Sequence, residues 1–369
     1  MDQQEFEDLF KKAHEEKSPN YNDNVNVALV GKVSAGKSSL LNAIMGCDRS
    51  NPIAKVGASS GVTTTVTPYR LDEHVLIIDC PGLDDVRKEN SDTTKSFLDS
   101  IDVGIFVVTG SSDASQKANY QDLKASAKHV LVVLNKSDEW DDLEPSAFDE
   151  VIEQWRSDLG ADKIYPACAK GYDPKMRKDA PMVIRGIEEI REVMFDFLAQ
   201  EKKALLMARH LRDKSKHALG IIAAALASVA GEAFIPGSAV YITATQVVAI
   251  SSLHYLYTGS ILSKSSALTL LPTFAGESIG TTAFLWAKSF LPPTGVVDVA
   301  AAVIAVVITF AMLAAVKFML ESGHGLDETE LLKRTFKDFR KVGEKLKGVS
   351  LTDLKSKEGI TKLLASLLG

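Results

Sequence analysis

One apolar run, Val25–Val30, leads straight into Gly31-Lys32-Val33-Ser34-Ala35-Gly36-Lys37-Ser38, and Ser39-Leu40-Leu41-Asn42-Ala43-Ile44 then reads as helix. Nothing else in the chain narrows the fold as much. Strand, glycine loop and helix in this order open an α/β unit with a parallel sheet behind the loop. The two glycines let the backbone wrap around an anion, and the start of the helix points free N–H groups at it. The candidate phosphate-binding residues are therefore Gly31, Val33, Ser34, Ala35, Gly36, Lys37, Ser38 and Ser39. A loop of this spacing also occurs by chance, but here the strand before it and the helix after it are both in place.

From about 24 to 200, short apolar runs alternate with helical stretches. The runs Val25–Val30, Val75–Asp79, Ile101–Thr109, Val130–Asn135 and Lys163–Ala167 predict parallel strands, and Val66–Leu71 an edge strand. The fold class expected is α/β, a P-loop domain with a mostly parallel six-stranded sheet, followed by a mostly α-helical apolar domain. Three regions follow: an N-terminal amphipathic helix (1–23), the nucleotide domain (24–200) and the helical domain (201–369). Ile184 to Ala230 contains no proline, which predicts continuous helix between the last two.

The ends of the later strands carry the remaining chemistry. Lys37 would neutralise charge on the β and γ oxygens, and Ser38 would ligate Mg²⁺. Asp79-Cys80-Pro81-Gly82 places a carboxylate where it would hold Mg²⁺ through water, and the Gly82 amide where it would sense a γ-phosphate. Asn135-Lys136-Ser137-Asp138 suits a guanine base: the Asp138 carboxylate accepts from N1–H and the exocyclic amine, Asn135 ties the loop together and the Lys136 stem stacks. The nucleotide expected is GTP or GDP. In Gly61-Val62-Thr63-Thr64-Thr65, Thr63, with Thr64 as second choice, would complete the Mg²⁺ shell. Cys168-Ala169-Lys170 stands where a base-contacting Ser-Ala-Lys is expected, and a small buried thiol is the plainer reading of Cys168.

With these elements in order, residues about 24 to 200 resemble the translation-factor class of GTPases, above all the Era-like group, with dynamin-like proteins nearby. The resemblance implies GTP hydrolysis, with Lys37, Ser38, Thr63 and Gly82 in the catalytic roles. Leu83 departs from the pattern of Ras-like proteins, which place a water-orienting glutamine there. Ser34 stands where dimer-activated relatives help to bind K⁺ or Na⁺, which implies a monovalent-cation site and a G-domain homodimer. In the second half, Ile235-Pro236-Gly237-Ser238-Ala239-Val240-Tyr241 and Thr245–Ile250 resemble the YcjF-type helical domain, and Gly276, Gly280, Pro292 and Gly295 continue the pattern. Immunity-related GTPases are a more distant likeness.

Ala218 to Leu320 is rich in Ala, Val, Ile, Leu and Gly, and Val299–Val316 is nearly free of charge. That length sits at the lower limit of a membrane span, so a buried hairpin and an inserted one both remain open. Glu232, Gln246, His254 and Glu277 interrupt the earlier apolar stretches; a helical bundle can place a charged residue such as Glu232 at its rim, and His254 and Glu277 are expected to face the rim or a partner. The basic stretch Lys202–Lys216 is expected as helix, facing either solvent or anionic lipid. Met1-Asp2-Gln3-Gln4-Glu5 lacks the order of a signal peptide, and Cys47, Cys80 and Cys168 have no metal or disulfide spacing, so a cytoplasmic setting is expected.

The reading that results is a GTP-hydrolysing switch whose helical domain engages an effector protein or a membrane surface. The alternatives are a dynamin-like GTPase that self-assembles and remodels membrane, and a ribosome- or RNA-associated Era-type GTPase. The chain has a net charge of −6, which argues against nucleic acid as partner.

Overall fold

The computed structural model describes residues 3–56, 66–88, 96–113, 115–234, 238–275, 299–349 and 351–368. The chain divides into two compact units, Asn20–Arg212 and, taken together, Met1–Pro19 with Asp213–Gly369. The N-terminal helix thus belongs with the C-terminal one, and the boundary falls after Arg212 instead of after residue 200.

The nucleotide unit is built on a six-stranded sheet. Its strands are β1 (Val25–Val30), β2 (Thr67–Arg70), β3 (Val75–Cys80), β4 (Ile101–Val108), β5 (Ala127–Leu134) and β6 (Ile164–Pro166), in the order β2-β3-β1-β4-β5-β6. Only β2 runs antiparallel, with Thr67 opposite Asp79. Every residue of β1, β3 and β4 is buried, as expected for parallel strands covered on both faces. One side of the core gathers Ile78, Phe106, Val132, Leu134 and Trp155, with the Trp155 indole N–H donating to the Gly110 carbonyl at 2.8 Å.

The helix expected after the glycine loop is Lys37–Met45, closed by Gly46 in the left-handed conformation. A two-stranded hairpin, β7 (Cys168–Lys170) with β8 (Val183–Arg185), was not foreseen from the sequence. No continuous helix joins the two halves. Ile187–Gln200 ends before Lys202, whose φ is +59°, and only the short helix Ala204–Ala208 follows before Asp213.

The basic stretch 202–216 is also not one lipid-facing helix. Lys203 pairs with the buried Asp102 at 2.8 Å, Arg209 with Asp72 at 3.0 Å, and Arg212 with Asp48. These cations are engaged by carboxylates of their own unit.

In the helical unit, Ser215–Glu232, Ser238–Thr258 and Val299–Glu321 pack on one another. Helix Gln3–Lys17 buries Phe6, Phe10 and Ala13 and packs on Ser238–Thr258. Glu232 is not at a rim: it is 7% exposed and accepts from Lys17 Nζ at 2.6 Å and from the Thr245 hydroxyl at 2.9 Å. Gln246 is fully buried and donates to the Thr309 hydroxyl at 2.9 Å. His254 stays half-buried, with Nδ1 2.9 Å from the Ser260 carbonyl. Residues 235–237 and 276–298, and with them Glu277, Gly276, Gly280, Pro292 and Gly295, lie outside the described residues.

Ser238–Thr258 and Ala302–Glu321 are long and apolar enough to cross a membrane, but 83% and 72% of their apolar windows are buried within the protein. Core helices of soluble bundles have the same composition.

Candidate nucleotide site

The loops after β1 and β5 meet on one cavity of about 560 Å³, and Asp79 at the end of β3 lies behind it against Ser38 and Lys37. Val33, Ser34, Gly36, Lys37, Ser38 and Ser39 line it from the glycine loop, and Asn135, Lys136, Asp138, Cys168, Ala169 and Lys170 from the opposite side. This is the crevice where open α/β sheets place their ligands.

Backbone geometry explains the loop. Gly36 has φ +82°, and a Cβ there would lie 2.4 Å from Asn135 Nδ2, so both the turn and the close approach require glycine. Ser34 holds a left-handed φ of +67° without being glycine, a strained conformation of the kind found where function constrains the backbone. Asn135, 2% exposed, donates to the carbonyls of Ala35 at 2.9 Å and Gly36 at 3.4 Å. It thereby ties the Asn135–Asp138 loop to the glycine loop.

Lys37 is 3% exposed, and its Nζ donates to the carbonyls of Gly31 at 2.9 Å and Lys32 at 3.2 Å. It also lies 3.5 Å from Asp79 Oδ1. Ser38 Oγ donates to Asp79 Oδ2 at 2.8 Å. Asp79 is fully buried, and Oδ1 has no hydrogen-bond partner. Burial pushes its carboxyl above the usual range, against the opposing pull of Lys37 and Ser38. One hydroxyl beside one under-coordinated carboxylate suits Mg²⁺, which keeps waters and substrate phosphates in its shell. Among the described residues no cluster of three or more His, Cys, Asp or Glu forms an all-protein metal cage.

Asp138 faces the same cavity. Its carboxylate accepts from Lys170 Nζ at 2.9 Å and from Cys168 Sγ at 3.2 Å. Burial raises its pKa, but these two partners outweigh that and hold the group below the ordinary range, hence ionised. Cys168 is buried, and burial and then Asp138 push its thiol up. It is therefore a hydrogen-bonding group of the site and not a reactive thiolate. Lys136 has φ +62°, a second left-handed residue at the rim.

Gly82 approaches the Asn119 side chain. Leu83 opens helix Leu83–Lys88 with its side chain 1% exposed in the apolar core, so no side chain at that position orients water. Thr63 and Thr64 lie outside the described residues.

Several neighbours escaped the sequence reading. Tyr69, on the edge strand, stands beside Ser38 and Asp79: burial and then Asp79 raise its phenol pKa, and a hydrogen bond with Ser38 opposes them. Val56, Glu139, Gly171, Asp173 and Met176 complete the cavity lining. Antiparallel register brings in Tyr69, and the long hairpin brings in Gly171, Asp173 and Met176, so none of these carries a local motif.

Residues 26–136 match the family model described as "50S ribosome-binding GTPase", under a third of the chain. GTPase Der of Persephonella marina is 37% identical over 139 residues, 34% of this chain and 29% of that protein. The Fe(2+) transporter FeoB of Helicobacter pylori is 31% identical over 161 residues, 42% of this chain and 24% of that protein. The chain thus spans well under half the length of these curated relatives. Among solved structures, a probable GTP-binding protein engB is similar at 16% identity and a TM-score of 0.32, over 47% of this chain and 98% of that one. Strand order, glycine loop and family match together give the first unit the fold of a P-loop GTPase.

Proposed function

We propose that the chain binds and hydrolyses GTP as a molecular switch, and that its helical unit relays the bound state to a protein partner or a membrane surface. The observation that carries this is the Asn135 bridge, which sets Asp138 and Lys37 on one cavity. Asp138, ionised, offers two acceptors to the guanine N1–H and amine, a pair of donors that adenine lacks. Lys37 and the loop amides neutralise the phosphates, and an in-line water attacks the γ-phosphorus. Mg²⁺, held by Ser38 and through water by Asp79, with Thr63 as switch ligand, would supply charge neutralisation on the β and γ oxygens. With Leu83 buried and no evident general base among the described residues, intrinsic turnover is slow.

Measured with fluorescent GDP and phosphate release, Lys37→Ala abolishes binding or hydrolysis. Turnover that survives the substitution sinks the proposal. Ser34 carries the K⁺ or Na⁺ part of the reading. Turnover that is equal in K⁺, Na⁺ and choline, and independent of protein concentration, removes both that site and a G-domain dimer.

One surface favours the membrane over a protein as partner. Helix Thr329–Gly343 buries Leu332 and Phe336. Its other face and the turn after it expose Arg334, Lys337, Arg340 and Lys345, with no ion-pair partner among the described residues. Residues 329–349 hold seven Lys and Arg against three Asp and Glu, in a chain of net charge −6. Phe318, 45% exposed on helix Val299–Glu321, contacts Phe339 of helix Thr329–Gly343. Cations beside exposed aromatic surface suit an anionic bilayer, at about 1 kcal/mol per well-placed cation. Flotation with phosphatidylglycerol vesicles, which weakens when all four cations become Gln, tests this. Equal flotation of the variant, or none by the native chain, removes it.

A further inference from the structure

The loop between β7 and β8, residues 171–182, lies beyond the matched residues 26–136 and outside the five nucleotide motifs. Even so, Gly171, Asp173 and Met176 line the cavity, directly following Lys170 in the chain. The loop has little core of its own. Pro174, Lys175 and Arg177 to Asp179 are exposed, and its internal bonds are all local: Met176 N to Asp173 O at 3.0 Å, Ala180 N to Arg177 O at 3.1 Å, Lys175 N to Asp173 Oδ1 at 2.8 Å and the exposed pair Arg177–Asp179.

What holds the loop is the segment after helix Lys37–Met45. The Tyr172 hydroxyl donates to the Cys47 carbonyl at 3.0 Å. The Arg49 guanidinium donates to three carbonyls of the loop: Arg177 at 3.2 Å, Lys178 at 3.2 Å and Ala180 at 2.7 Å. The neck closes tightly at Gly171, φ +133°, where a Cβ would lie 2.7 Å from Met182 Cγ. A planar, permanently charged fork can serve three carbonyls at once, which a lysine ammonium on its flexible stem does poorly.

We infer that residues 171–182 are a flap over the nucleoside end of bound GDP or GTP, and that Arg49 is the latch that sets how fast the nucleotide leaves. This rests on the guanine-nucleotide reading of the cavity. An exposed loop with few apolar contacts opens at low free-energy cost, so the bonds that pin it govern its opening. A ligand beneath a lid leaves at a rate limited by that opening. Arg49 touches the flap and not the nucleotide, so it is a positioning residue. Met176 is the flap's adaptable apolar contact on the cavity side.

The test is stopped-flow release of mant-GDP from the full chain. Arg49→Ala speeds release by about tenfold or more, Arg49→Lys by less, and Met176→Ala by a few-fold. Single-turnover hydrolysis of GTP already bound stays within about twofold of native, because the latch lies away from the γ-phosphate. Release from R49A and M176A both at the native rate overturns the flap. Hydrolysis and melting temperature falling in parallel with faster release also overturn it, since that marks general loosening. Should R49A not fold, M176A, which removes no pin, decides alone. A native chain that does not bind mant-GDP overturns the nucleotide reading itself, and the flap with it.

Discussion

The buried polar side chains at the nucleotide site differ from the buried pairs that join the helices of the other unit. In the nucleotide unit, Asp79 and Asn135 are at most 2% exposed, yet Oδ1 of each has no hydrogen-bond partner. In the helical unit, Glu232 accepts from Lys17 and Thr245, and Gln246 donates to Thr309. An unpaired buried acceptor costs about 1–3 kcal/mol. Folds retain such a cost mainly where a ligand completes the set. A closed set does something else: among helices that are apolar all round, it marks which residues must meet. The first unit is organised for an incoming ligand, the second for one packing of its own helices.

Three substitutions would break or sharpen this contrast. The largest effect belongs to Asp138→Asn, which loses GTP affinity by about a hundredfold or more and gains xanthine nucleotide, because the amide presents one donor and one acceptor in place of two acceptors. Competition binding with GDP and XDP reads this out, and unchanged GDP affinity would remove the base-reading role. Next is Glu232→Ala, which leaves Lys17 and Thr245 without their acceptor. Lys17 is partly exposed and can turn to water, so the cost is about 2 kcal/mol rather than the larger loss typical of fully buried pairs. Denaturant melts should show it while mant-GDP affinity stays native.

The smallest effect on stability belongs to Asp79→Asn. Burial holds the carboxyl above its ordinary pKa, so its ionised form destabilises the nucleotide-free fold as pH rises from the unfolded value through the folded one. The amide removes that cost, and the melting temperature at neutral pH should rise by about 2–4 °C while Mg²⁺-dependent hydrolysis is lost. A melting temperature that falls instead would make the Lys37 pair, and not burial, the dominant influence on Asp79.

Much of the nucleotide unit was legible because its signals are local. The runs Val25–Val30, Val75–Asp79 and Ile101–Thr109 became strands with ends displaced by at most a residue. The run at Val130 belongs to a strand that begins earlier, at Ala127, because Lys128 and His129 extend it without being apolar. The absence of proline after Ile184 misled, because it permits helix but does not require it. Lys203 instead turns to reach the buried Asp102, and the helix ends before it. In the helical unit, apolar composition marks 218–320 as helical but does not reveal that Lys17 meets Glu232, 215 positions away.

The opening feature still divides what the chain alone determined from what folding decided. Strand, glycine loop and helix are contiguous, so Gly31 to Ser39 carry their geometry in their own order, and the Asp79 and Asn135–Asp138 motifs follow because parallel strands bring their C-terminal ends together. Tyr69 beside Ser38, Cys168 on Asp138 and Arg49 across the flap depend on register, on a hairpin and on a guanidinium reaching 128 positions along the chain. Contacts between residues so far apart leave no periodic trace in the sequence, and only the packed tertiary structure selects them.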